Sequence, residues 1–300
     1  MGQQAFGKDA LNKIIEAGVD EVVAVYCEPD REGKPIDPIK EYALDKNIPL
    51  EQPAHFKDQS TLDTLASYNA DLMVMAFVNV FVPEAARDTP KQGSICFHPS
   101  ILPLHRGPSA VNWPIIMGRM SSGFSWFYPT DGLDEGDVLL NWNCSIEPDD
   151  TVIDLYFKKI YPAAIDSVLK VCDLFRDGTP PRLEQDESQA TYERRCTAKH
   201  ASVDWYKPVE QVYNLIRGTN PAPGAWTTHN DTKLNIYDCI RMAGDGVAGQ
   251  VMQINDDGIA VQSVGGRILI KRVKAEGLSK QAAIEWATTV GLKVGDRFGI

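Results

Sequence analysis

Residues 71–77, DLMVMAF, form a short apolar run of the kind that fills a strand buried on both faces of a parallel sheet. Just before it, residues 60–68 carry helical spacing. Further back, residues 38–44 read as another helix and residues 21–27 (EVVAVYC) as another strand. Leu11, Ile14, Ile15 and Ala17 recur at helical intervals over residues 8–17, and Gly18 closes that run. Helices and strands therefore alternate, which predicts an α/β sheet with helices on both faces.

Working outward, residues 2–7 (GQQAFG) have the look of a loop that follows a first strand, yet only Met1 precedes them. The expectation is a sheet whose inner strand is missing or substituted. GQQAFG is not the G-x-G-x-x-G dinucleotide fingerprint, and a tight turn into the first helix is the plainer reading. In the other direction, prolines at 99, 103 and 108 exclude helix interior and central strand over residues 98–109, so a shaped loop is expected there. A helix over 110–117 and strands over 123–128 and 137–144 follow. A long helix over about 151–175, capped by Asp149 or Asp150, should kink at Pro162.

Residues 178–199 are polar and proline-bearing and read as a linker. Beyond them come a helix over 209–217 and short strands over 234–240, 249–254, 259–263 and 268–273. Turns at Asp256-Asp257-Gly258 and Gly265-Gly266 punctuate these strands and suggest a small OB-like β-barrel. The expected domains are 1–190 and 203–300, with a linker at 191–202.

Composition narrows the function. The 300 residues are 43% hydrophobic and 24% charged, the balance of a folded globular protein. A net charge of -11 disfavours nucleic-acid binding through an overall basic surface. Residues 200–300 hold 11 basic and 10 acidic side chains, so the acidity lies in the N-terminal two thirds. Apolar runs stop far short of the roughly 20 residues of a membrane span, and no signal pattern opens the chain. Six scattered cysteines without zinc spacing suit free thiols in a reducing compartment, so no metal and a cytoplasmic location are expected.

His98 sits in the proline loop, and Asp134 follows 36 residues later in the acidic loop Asp131-Gly132-Leu133-Asp134. A carboxylate beside an imidazole would orient it and stabilise its cation, ready to donate a proton or meet an oxyanion. A satisfied structural histidine is the plainer alternative.

The segments GSICFHPSILP (93–103), Arg106-Gly107, Asn112-Trp113 and DGLDEGD (131–137) together closely resemble the formyltransferase family that uses 10-formyltetrahydrofolate. Asp204-Trp205, Ile216-Arg217 and Pro223-Gly224-Ala225-Trp226 resemble its C-terminal domain. The nearest likeness within the family is to the amino-terminal hydrolase domain of 10-formyltetrahydrofolate dehydrogenase. The resemblance implies an open parallel Rossmann-like sheet, formyl transfer to water or a small amine, and a folate donor with no metal. It makes His98 and Asp134 the catalytic pair. It places tetrahydrofolate near Val80, Phe81, Val82 and Leu102, with the pterin against the loop containing Asp131 and Gly132. The residues alone read Val80 and Phe81 equally as core.

The sequence also departs from the family. Transferases usually carry asparagine two positions before the histidine, where this chain has Cys96. A thiol is a weak donor, so the oxyanion site is weakened, which agrees with the dehydrogenase's hydrolase domain. Cys96 as a nucleophile stays open beside a structural role. Residues 28–35 are short and mixed in charge, unlike the longer basic loop of methionyl-tRNA formyltransferases, so initiator tRNA is the second acceptor. A folate-binding protein without turnover is the third reading.

Overall fold

The computed structural model describes residues 1–178 and 180–299, and it divides into two compact units. The first comprises Met1–Gly107, Gly123–Cys144 and Lys159–Tyr192; the second comprises Pro108–Ser122, Ser145–Lys158 and Glu193–Ile300, of which Ile300 lies outside the described residues.

In the first unit α1 (Gln4–Ala17) starts without a side-chain cap of its own. Asp37 supplies one from a distance, accepting from Gln4 N at 2.8 Å while also capping α2 (Pro38–Asp45) through Ile39 N at 3.0 Å. One carboxylate thus serves two helix N-termini, where free N–H groups favour negative charge. Gly18, at φ 63°, ends α1 in the left-handed region.

Strands β1 (Val25–Tyr26) and β2 (Leu50–Glu51) pair in parallel, with α2 between them in the chain. After α3 (Gln59–Ser67) comes β3 (Met73–Met75), then α4 (Glu84–Arg87) and β4 (Ser94–His98), parallel to β3. The wholly parallel sheet expected from the sequence stops there. Antiparallel pairing joins β5 (Ser121–Phe127) to β4, and β6 (Val138–Ser145) completes the order β3-β4-β5-β6. Met1 and Gly2 lie between β1 and β3. Gly2 bridges Ala76 in parallel and donates to Tyr26 O at 3.0 Å, so a single residue spans β1 and β3. A Cβ on Gly2 would lie 2.5 Å from Ala76 O, which restricts this position to glycine.

The expected long helix is interrupted. Thr151 closes a capping box with Asp154 at the start of a short helical turn, Val152–Leu155; a π-helical turn, Tyr156–Ile160, then leads into Tyr161–Arg176. Pro162 stands in the first turn of that last segment, where its missing N–H costs nothing, and the widened turn precedes it in place of a simple kink.

The second unit has a β-rich core. Its strands pair as two four-stranded sheets. One has the order Val251–Asn255, Gly258–Ser263, Gly266–Ile270, Cys239–Met242. The other has Gln281–Ala282, Arg272–Ala275, Thr232–Ile236, Ala225–His229. Strand pairing among the described residues does not close these sheets into the single OB-like barrel expected. Ile236, Ile259, Ile268 and Trp286 meet in one apolar cluster. Trp286 comes from the helix Ala283–Val290, which the sequence reading did not anticipate.

No helix among the described residues is long and apolar enough to cross a membrane.

Candidate active site

His98 is the last residue of β4, opposite Ser125 of β5, and is buried. Its Nε2 lies 2.9 Å from the His105 carbonyl oxygen. A carbonyl can only accept, so Nε2 carries the hydrogen. The other ring nitrogen, Nδ1, therefore turns to Asp134, whose Oδ2 is 3.5 Å away. That is ion-pair distance and long for a direct hydrogen bond, so a proton on Nδ1 is not fully committed to the carboxylate.

The expected proline loop is shaped by hydroxyls as well as prolines. Ser100 Oγ donates to Leu104 O at 2.6 Å, and Leu102 N donates to Ser125 Oγ at 3.0 Å. His105 N donates to Thr191 Oγ1 at 2.8 Å.

Asp134 adopts φ 57°, a left-handed conformation that costs energy in a non-glycine residue unless its surroundings enforce it. The surroundings do. Gly107 N donates to Asp134 Oδ2 at 2.8 Å, and Gln185 Nε2 donates to both Asp134 O (2.9 Å) and Gly136 O (2.6 Å). Gly136 must be glycine, because a Cβ there would sit 1.6 Å from Tyr128 O.

Behind Gln185 stands Arg106, whose side chain is fully buried. Its guanidinium donates to Gln185 Oε1 at 2.8 and 3.2 Å, to Glu187 at 2.6 and 3.1 Å, and to Tyr192 Oη. The Arg106 hydrogen bond also holds the Glu187 carboxyl below its ordinary range. Tyr192 Oη in turn donates to Glu135 at 2.8 Å. Residues 180–192 are thus no linker. Leu183 bridges Val138 and Tyr192 bridges Arg106, and the segment straps the acidic loop into place. Thr179, also within the stretch read as a linker, lies outside the described residues.

The formyl transferase family model matches residues 1–163, and the model of the formyl transferase C-terminal domain matches residues 195–291. The chain belongs to the formyl transferase family. Over 242 residues the chain is 39% identical to human cytosolic 10-formyltetrahydrofolate dehydrogenase, covering 79% of this chain and 27% of that protein. The chain therefore spans little more than a quarter of the length of those dehydrogenases. It is 30% identical over 306 residues to methionyl-tRNA formyltransferase of Fusobacterium nucleatum, covering 99% of this chain and 98% of that enzyme. WlaRD, a sugar 3N-formyl transferase solved in the presence of dTDP and 5-N-formyl-THF, shares the fold at TM-score 0.69 and 17% identity, over 93% of this chain and 97% of that one.

The remaining expected residues fall into two groups. Arg87 draws the segment at 80–82 toward the acidic loop, donating to Val82 O at 2.6 Å and to Asp131 Oδ1 at 2.8 Å. Val82 is itself buried in an apolar cluster with Met75, and Val80 packs against that cluster half-buried, so both serve the core. Phe81 is 60% exposed and Asp131 also faces solvent, while Glu135 folds over Gly132. Leu102 is buried with Phe127 and Val138, and Cys96 packs on that cluster.

Burial pushes the Cys96 thiol up to about 12, with the negative charge of Asp134 adding to the effect. It is a neutral thiol at neutral pH and so a poor nucleophile. Its Sγ lies 3.7 Å from Phe97 O, a weak contact. Among the described residues no group of three or more His, Cys, Asp or Glu could hold a metal ion.

Arg87, Arg106, Gln185, Glu187 and Tyr192 were not singled out from sequence. Arg106 stands in the quoted motif, but nothing local says that its partners lie about 80 residues on.

Proposed function

We propose that the chain transfers the formyl group of 10-formyltetrahydrofolate to water or a small amine, releasing tetrahydrofolate. One observation carries the reading: in a member of this family, His98 Nδ1 and Asp134 face each other at 3.5 Å beside the ends of β3 and β4. Ligands of open α/β sheets bind outside such strand ends.

In this mechanism the nucleophile, water or a neutral amine, attacks the formyl carbon. The new bond pushes an electron pair onto the formyl oxygen, and the His98 Nδ1–H of the imidazolium stabilises that oxyanion. The His105 carbonyl keeps the other ring proton on Nε2, so the acidic proton is aimed at the substrate. Asp134 stabilises the imidazolium and takes the proton of the nucleophile. Collapse of the tetrahedral species re-forms the formyl C=O and breaks the bond from carbon to N10 of the folate, and N10 takes the proton that Asp134 removed from the nucleophile. The fixed left-handed backbone of Asp134 keeps its carboxylate in place through these steps.

Water or a small amine is the favoured acceptor because Cys96 leaves a weak donor beside the oxyanion. Formyl transfer to methionyl-tRNA is the second reading, supported by the nearly full-length match to the Fusobacterium enzyme. Six free cysteines fit a reducing, cytoplasmic setting. The test is incubation with 10-formyltetrahydrofolate in water alone, with amino sugars and other small amines, and with charged initiator tRNA. Formate or a formylated small amine is expected. Formylation of the tRNA alone would transfer the assignment to the second reading, and donor binding without turnover would overturn both.

A further inference from the structure

The acidic loop over residues 131–134 is anchored at both ends by different means. At its far end Gln185 holds the Asp134 backbone, and Gly107 N holds its carboxylate. At its near end the tie is Arg87, the last residue of α4. The Arg87 side chain is only 7% exposed, a costly place for a guanidinium unless its N–H groups find oxygens. They do: Nη1 donates to Val82 O at 2.6 Å and Nη2 to Asp131 Oδ1 at 2.8 Å. The Arg87 carbonyl is engaged as well, accepting from Ser94 Oγ of β4 at 2.7 Å.

The pair is lopsided. The Asp131 side chain is 68% exposed, so its carboxylate can exchange the guanidinium for water, whereas Arg87 is enclosed and stays in place. Packing gives the near end of the loop little other support. Behind it lies a cavity of about 330 Å³, lined by Arg87, Ser94, Tyr128, Thr130 and Glu135 among others. Leu133 faces solvent, and Gly132 N reaches the Thr130 hydroxyl only at 3.3 Å, a long bond.

We propose that Arg87 is a positioning residue for the folate donor: as a latch between the segment at 80–82 and Asp131, it sets the width of the slot that takes the pterin. This rests on the formyl-transfer reading above, in which those two segments flank the donor. A charge-assisted hydrogen bond keeps the near end of the loop in its binding position before the donor arrives, so less of the loop has to be ordered on binding. Asp134 has anchors of its own, so releasing the near end leaves the carboxylate beside His98. The latch therefore governs donor affinity and leaves the chemical step alone.

The test separates affinity from turnover. The Kd of tetrahydrofolate is measured by titration calorimetry, with kcat and KM for 10-formyltetrahydrofolate, on wild type, Arg87→Met, Arg87→Lys, Asp131→Asn and the Arg87→Met/Asp131→Asn double variant. Arg87→Met keeps an apolar stem but neither donor, and should raise Kd and KM on the order of tenfold with kcat within about twofold. Arg87→Lys, with its single cationic group, should recover part of that loss. Asp131→Asn should also weaken binding, and the double variant should bind no worse than Arg87→Met alone, because both substitutions break one link. Additive losses in the double variant, or a fall in kcat as large as the fall in affinity, would overturn the latch. So would a Kd unchanged in both Arg87→Lys and Asp131→Asn, the pair that decides the matter if Arg87→Met does not fold. A wild type that binds no tetrahydrofolate would overturn the formyl-transfer reading itself, and the latch with it.

Discussion

The two halves of the candidate site are held by opposite means. His98 is placed locally: it ends a strand, its Nε2 is fixed by a carbonyl seven residues on, and a loop with three prolines follows it. Asp134 is placed from afar. Its left-handed backbone is pinned by Gln185, 51 residues on, and Gln185 is oriented by Arg106, 79 residues earlier in the chain. The ring of the first takes its nearest partner from its own stretch of sequence, whereas the backbone of the second is held by segments far away in the chain. Long-range packing therefore holds the backbone of the carboxylate, whereas the ring of the histidine takes its partner from its own loop, which Thr191 in turn anchors at His105 N.

That contrast can be broken in order of expected effect. Asp134→Ala should lower kcat for tetrahydrofolate release by at least about 1,000-fold while the fold, followed by circular dichroism, is retained. A variant within tenfold of wild type would leave the long-range half without a catalytic purpose. Cys96→Asn should restore a donor beside the formyl oxygen and raise amine formylation relative to hydrolysis by up to about 100-fold, read as the product ratio. A folded, folate-binding but inactive Cys96→Asn would instead make the thiol a nucleophile.

Gln185→Leu removes the two hydrogen bonds that Gln185 makes to the acidic loop, at a cost of about 1–2 kcal/mol, so kcat should fall about tenfold with little change in donor affinity. An equal loss in affinity alone would show that the strap shapes binding and not the carboxylate. The smallest effect concerns pH. Because the Cys96 thiol is raised to about 12, its thiolate forms only at strongly alkaline pH. Iodoacetamide at pH 8 should therefore leave turnover unchanged, as the partly buried thiol stays neutral. Rapid inactivation traced to Cys96 by mass spectrometry would contradict this.

How much of this was legible in the sequence follows the same division. The α/β alternation and the proline loop are written in contiguous stretches, whereas the pairing of His98 with Asp134 rests on the family resemblance, since spacing alone leaves a structural histidine the plainer reading. The strand read over residues 21–27 is Val25–Tyr26 in the structure, because only that dipeptide meets partners in β2. The antiparallel turn of β5 had no local signal, since an apolar run has the same composition in either direction. The strap at 180–192 reads as a linker in sequence because polar residues on a surface and polar residues wrapped around a buried arginine look alike in composition. Only the fold reveals that Gln185 and Glu187 are polar for the sake of Arg106.

The central claim is that His98 supplies the proton that stabilises the formyl oxyanion. It is tested most directly by single-turnover reaction of 10-formyltetrahydrofolate, labelled with carbon-13 at the formyl group, with wild type and His98→Ala under matched donor saturation. Wild type should convert the label to formate or a formylated amine. His98→Ala should bind the donor with similar affinity, keep its fold and react at least about 1,000-fold more slowly. A folded His98→Ala protein that releases the label within tenfold of the wild-type rate would contradict the account.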